Sequence, residues 1–130
     1  MENSRIDHLV ITRKKSFFSA LMPYWIIVSE QPKSVFLQRH NMEKDLGGHD
    51  ALGQPVERIR MEELDEIGVR IENGKTVNIP LSENAAHLFA STMDGSLSNE
   101  IVIADLAKPE ITMITKGGFR TVSYPWFVPE

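Results

Sequence analysis

The chain has 130 residues, 42% of them apolar and 25% charged, with a net charge of −4 and no cysteine. That length fits one domain, residues 1–130, with a real hydrophobic core, and the acidic balance argues against nucleic acid, which calls for clustered Lys and Arg. Without cysteine there are no disulfides, no thiolate catalysis and no cysteine-ligated zinc, which suits a reducing, cytoplasmic compartment.

Residues 1–7 are polar. His8 to Lys15 carries Leu9, Val10 and Ile11 and predicts a first strand, with Arg13-Lys14-Lys15 as a solvated basic end. The apolar run from Phe17 to Val28 follows these basic residues, as the core of a signal peptide would. Pro23 interrupts it and β-rich residues follow, which favours a strand. No window reaches the roughly 18 apolar residues that a membrane-spanning helix needs. Tyr24 to Ser29 is aromatic, β-branched and apolar almost throughout, so it predicts a central strand. Ser34 to Gln38, after a turn at 30–33, alternates Val35 and Leu37 against Phe36 and predicts the second arm of a hairpin.

Arg39 to Gly68 breaks the pattern. Gly47-Gly48, Gly53 and Pro55 interrupt it, a helical turn is expected at Met42–Leu46, and Ile59 to Ile67 shows a partial helical period. The stretch predicts a long, partly helical excursion from a β framework, of a length often tied to function. After it, Val69 and Ile71 precede Asn73-Gly74, and Val77 and Ile79 follow. A two-residue loop would pair apolar with polar residues. A three-residue loop, Glu72-Asn73-Gly74, pairs Val69 with Val77 and Ile67 with Ile79, with Gly74 in the left-handed conformation of a bulge. Pro80 marks an edge or an end. Ser82-Glu83-Asn84 is the next turn, and His87–Met93 and Asn99–Asp105 are the next strands, the first with Leu88 and Ala90 on one face and His87 and Phe89 on the other. Gly117-Gly118 joins Glu110–Lys116 to Phe119–Tyr124, with Met113 facing Val122 and Ile111 facing Tyr124. The apolar tail Trp126-Phe127-Val128-Pro129 is expected to pack back on the domain.

Strands recurring about every 8–12 residues with turn chemistry between them indicate an all-β protein, and we expect an antiparallel sandwich of eight or nine strands. Reactive constellations are sparse. His40, His49 and Asp50 share the glycine-rich excursion, but no two histidines have the i, i+4 spacing of helical metal motifs, and loop polarity explains them better. His87 falls at a strand start, where a hydrogen-bonded structural role is the simpler reading, and His8 opens the first predicted strand. Glu62, Glu63, Asp65 and Glu66 could supply acid–base carboxylates only if burial split their pKa values, and a solvated face is the simpler account. Hydroxyls lack a nucleophile elbow, and Gly47-Gly48 and Gly117-Gly118 lack the spacing of a phosphate loop. Tyr24, Trp25 and Trp126 could form a ligand surface, although core or sheet face accounts for such residues more simply.

Two places carry a family resemblance: Ile11-Thr12-Arg13 through Pro23-Tyr24-Trp25-Ile26-Ile27-Val28, and Gly74-Lys75-Thr76-Val77-Asn78-Ile79-Pro80-Leu81 followed by His87-Leu88-Phe89-Ala90. Together they resemble the small immunoglobulin-like (Ig-like), PEGA-like β-sandwich modules of bacterial proteins of unknown function. Ala85-Ala86 stands where that pattern has glycine before the histidine, and the excursion lies outside it. The resemblance implies a sandwich with a binding or scaffolding role and transfers no catalytic residue. The expectation is therefore a non-enzymatic protein-interaction module with no cofactor and no metal site. The alternatives are a small-molecule binder or hydrolase with a site between residues 39–68 and one sheet, and a module that self-associates through its apolar tail.

Overall fold

The computed structural model describes residues 6–16, 22–39, 61–92, 97–116 and 124–129. These residues form strands β1 (His8–Arg13) and β2 (Tyr24–Ser29), helices α1 (Lys33–Arg39) and α2 (Met61–Ile67), and strands β3 (Val69–Ile71), β4 (Thr76–Pro80), β5 (His87–Ser91), β6 (Ile101–Val102), β7 (Glu110–Lys116) and β8 (Tyr124–Pro129). A 3-10 turn at Ile103–Asp105 follows β6. The protein is mostly β, in two four-stranded sheets: sheet I in the order β4-β1-β7-β8 and sheet II in the order β3-β2-β5-β6. Among the described residues, no helix is long and apolar enough to cross a membrane.

Side-chain alternation explains the core. Leu9 and Ile11 of β1, Ile79 of β4, Ile111 and Met113 of β7 and Phe127 of β8 point to one side of sheet I. Tyr24 and Ile26 of β2, Ile71 of β3, and Leu88 and Ala90 of β5 come from sheet II, and all of these residues form one buried cluster. A second cluster occupies the other face of sheet II. There Trp25, Ile27 and Phe89 meet Leu64 of α2, with Phe36 of α1 packed against them. Strand β2 is thus apolar on both faces because both are covered, as its nearly continuous apolar sequence requires.

Several expectations change. Residues 34–38 lie in α1, not in a hairpin arm. The Phe36 N–H donates to the Pro32 carbonyl at 3.0 Å, which starts the helix, and the Phe36 ring meets Phe89 edge-on at 5.5 Å. The outer face of sheet II needs an apolar cover, and this tertiary demand overrides a short alternation. The sheets are not wholly antiparallel either, since β1 and β7 pair in parallel. No tight turn links those two strands, so nothing local imposes an antiparallel pairing.

The segment around Gly74 is not a hairpin. Strand β3 pairs with β2 in sheet II while β4 pairs with β1 in sheet I, so the turn carries the chain from one sheet to the other. The left-handed glycine is present, with φ of +77° at Gly74. The Lys75 N–H donates to the Glu72 carbonyl at 3.2 Å, which makes Gly74 the third residue of a β-turn, where positive φ is required. Strand β4 is an edge strand that ends at Pro80, as a proline there suggests.

The β7–β8 hairpin exists with a different register: Met113 faces Phe127 and Ile111 faces Pro129. The apolar tail is itself the strand, with Phe127 buried in the core and Pro125 inside β8 on an outer edge. The strand expected at 99–105 shortens to Ile101–Val102. The helical turn expected at 42–46 and Gly117-Gly118 lie outside the described residues.

Candidate functional site

The outer face of sheet I is built by the residues that alternate with the core. Val10 and Thr12 come from β1, Thr76 and Asn78 from β4, Thr112 and Ile114 from β7, and Tyr124, Trp126 and Val128 from β8. Val10, Thr112, Ile114 and Trp126 are half-buried, whereas Thr12 and Val128 are exposed. The Trp126 ring meets Tyr124 edge-on at 6.3 Å, and the Lys116 ammonium sits 4.1 Å from the centre of the Trp126 ring. Thr12 and Thr76 share a hydroxyl hydrogen bond of 2.9 Å across the β1–β4 ladder. A shallow hollow of about 380 Å³, lined by Val10, Thr12, Lys108, Glu110, Ile111 and Thr112, lies beside them. Aromatic and aliphatic area and hydroxyls occupy one surface, with lysines at its margin.

Tyr24 and Trp25 serve the interior instead, both fully buried. The Trp25 indole N–H donates to Asp65 Oδ1 at 2.8 Å, and Arg70 Nη2 donates to Asp65 Oδ2 at 2.9 Å. The Trp25 hydrogen bond, then that from Arg70, holds the Asp65 carboxyl below its ordinary pKa. Asp65 lies on the exposed side of α2, as a solvated face implies, and through these bonds it also ties α2 to sheet II. Side chains of Glu62 and Glu63 lie outside the described residues, and Glu66 is exposed.

Arg13 does not lie on a solvated basic end. It is fully buried because, with inward Leu9 and Ile11, it has the inward phase of β1. Its guanidinium stacks 3.8 Å from the Tyr24 ring centre, and Nη1 donates to the Ile71 carbonyl at 2.9 Å. Desolvation pushes its pKa down. Lys14 and Lys15 are exposed.

His8 lies half-buried at the start of β1 with Nδ1 2.8 Å from Oδ1 of the exposed Asp7. That hydrogen bond holds the Asp7 carboxyl below its ordinary pKa. His87 begins β5 on the helix-covered face, and its buried Nδ1 lies 2.8 Å from Glu100 Oε2. The separation is that of an ion pair, but the ring N–H is out of line for a hydrogen bond. The same carboxylate oxygen accepts the Lys33 backbone N–H at 3.0 Å, and the Lys33 ammonium donates to the Ser98 carbonyl at 2.9 Å. Glu100 so links the beginning of α1 to sheet II. His40, His49 and Asp50 lie outside the described residues, and among those described no three His, Asp or Glu side chains gather at metal-binding separation.

The side chains of two asparagines have bridging roles that the sequence does not announce, Asn73 being read there only as a turn residue. Asn99 accepts the Phe127 N–H at 2.8 Å and donates to the Phe127 carbonyl at 3.0 Å. Asn73 does the same with Ser16, at 2.9 and 3.3 Å. Each carboxamide stands in for a neighbouring strand. No protein-family model matches the chain, and neither curated proteins nor solved structures show a significant match to it.

Proposed function

We propose that this chain is a non-enzymatic protein-interaction module, an Ig-like sandwich of eight strands whose docking surface is the outer face of sheet I. The observation that carries this reading is the contrast in cover: helices pack on the outer face of sheet II, while Val10, Ile114, Trp126 and Val128 sit on the outer face of sheet I without a layer over them among the described residues. Lys108 and Lys116 border the face, so the partner is a folded protein with an apolar centre and an acidic rim. The resemblance of residues 11–28 and 74–90 to PEGA-like modules points the same way. The test is photocrosslinking in cells that make the protein, with the reactive group placed at Ile114 or, as a control, at Glu83. A single protein adduct from position 114, lost in Trp126→Ala and absent from position 83, is expected. Equal labelling from both positions would sink the reading.

A small-molecule role would use the hollow beside Thr12 and Thr112. That hollow is wide open, whereas ligand sites enclose most of the ligand's surface. The interaction reading is therefore the stronger.

A further inference from the structure

The two edges of sheet I are chemically opposite. At β8, Phe127 turns its main-chain groups away from β7, because both are bonded to Asn99. Pro125 and Pro129 share that phase and have no N–H. Every outward donor position of β8 is thus occupied or lacks a hydrogen, and the edge is closed to another strand.

At β4 the phase is set by the bonds flanking the ladder. Arg13 N–H donates to the Lys75 carbonyl at 2.8 Å, and Leu81 N–H donates to the Asp7 carbonyl at 2.9 Å. Odd-numbered residues of β4 therefore face β1, and Thr76, Asn78 and Pro80 turn their main-chain groups to the open side. Among the described residues nothing pairs with that side, and all three residues are exposed. The strand reads Thr-Val-Asn-Ile-Pro and has no charge to repel another strand.

The pattern is complementary to itself. An antiparallel pairing centred on Asn78 places Asn78 against Asn78 of the partner subunit as a doubly hydrogen-bonded pair. Each Thr76 N–H then reaches the carbonyl of Pro80 of the partner subunit, so the missing proline donor falls where a symmetric pair can tolerate it. On the core side, Val77 meets Ile79 of the partner subunit, apolar against apolar. A one-residue slip would turn Thr76, Asn78 or Pro80 against these apolar side chains. We propose that two copies of the chain pair through their β4 edges about a two-fold axis at Asn78, joining two four-stranded sheets into one of eight. The contact uses the sheet edge and not its face, so it stands or falls separately from the docking surface proposed above.

The test exploits the absence of cysteine in the chain. A hydrogen-bonded antiparallel pair holds its Cα atoms about 5.5 Å apart, within the span of a disulfide. Full-length Asn78→Cys should convert to a disulfide dimer of twice the mass under mild oxidation, much faster than Glu83→Cys, which the same axis places far from its own copy. Cross-linking at 78 no faster than at 83 overturns the proposal. Charge reversal supplies the second arm, on an exposed residue whose replacement leaves the fold intact. Asn78→Lys and Asn78→Asp should each sediment as monomers, and a mixture of the two should form a one-to-one dimer. The proposal fails if Asn78→Lys still dimerises, or if the unaltered protein stays monomeric at about 1 mM, where a Kd up to that value would still show.

Discussion

The outer faces of the two sheets differ in what they ask of the rest of the chain. On sheet II, Trp25, Ile27 and Phe89 present a continuous apolar surface, and Leu64 and Phe36 descend from two short helices to cover it. On sheet I the equivalent positions carry Val10, Thr12, Thr112, Ile114 and Trp126, half polar and without a helix over them among the described residues. A fully apolar face forces its own cover during folding, because leaving it wet costs about 25 cal/mol for each Å² exposed. A mixed face with hydroxyls and an aromatic side chain is tolerable in water and remains available to a partner. The same two-fold alternation therefore yields a helix-covered face on one side and an open, mixed face on the other.

Truncating one ring from each face gives the largest contrast. Phe89 is fully buried and meets Phe36 edge-on, so Phe89→Ala should cost about 3–5 kcal/mol. Trp126 is larger but half-buried, held by Tyr124 and Lys116. Trp126→Ala should cost only about 1 kcal/mol, the scale of an exposed aromatic pair with a cation over it. Urea unfolding of both variants measures the difference. Equal losses would mean that the outer face of sheet I is a packed layer after all.

The turn that joins the two sheets comes next in size. Gly74→Ala forces a side chain into positive φ, which costs about 1–2 kcal/mol, and its Cβ would lie 2.8 Å from Lys15 Cγ. A thermal midpoint unchanged by this substitution would show that the crossing from β3 to β4 tolerates another turn. This glycine also shows how far sequence reasoning reaches. Asn73-Gly74 correctly announces a left-handed residue, because that requirement is local. Its assignment to a hairpin fails, because whether flanking strands pair with each other or with strands elsewhere is decided by the whole topology. Likewise Leu88 and Ala90 divide correctly from His87 and Phe89, since a period of two is written in the residues themselves. The helix at Phe36 was hidden, because five residues of alternation carry less weight than an apolar sheet face needing cover. The open face of sheet I was half legible: Trp126 stood out as a candidate, but nothing local shows that β8 turns it outward while burying Phe127.

The smallest effect is a pH dependence at Asp65, beside the covered face. Asp65 accepts hydrogen bonds from Trp25 and Arg70, which hold its carboxyl below the ordinary value of 3.8. A carboxyl with a depressed folded-state pKa stabilises the fold above its unfolded pKa and loses that contribution as pH falls through the folded value. The unmodified protein should therefore lose stability as the pH drops below about 4, whereas Asp65→Asn, which cannot ionise, should lack this part of the acid slope. The two melting curves should converge as the pH falls, since protonation of Asp65 brings the unmodified protein towards the variant's state. Parallel acid slopes for the unmodified protein and Asp65→Asn would mean that α2 is held to sheet II by Leu64 packing alone.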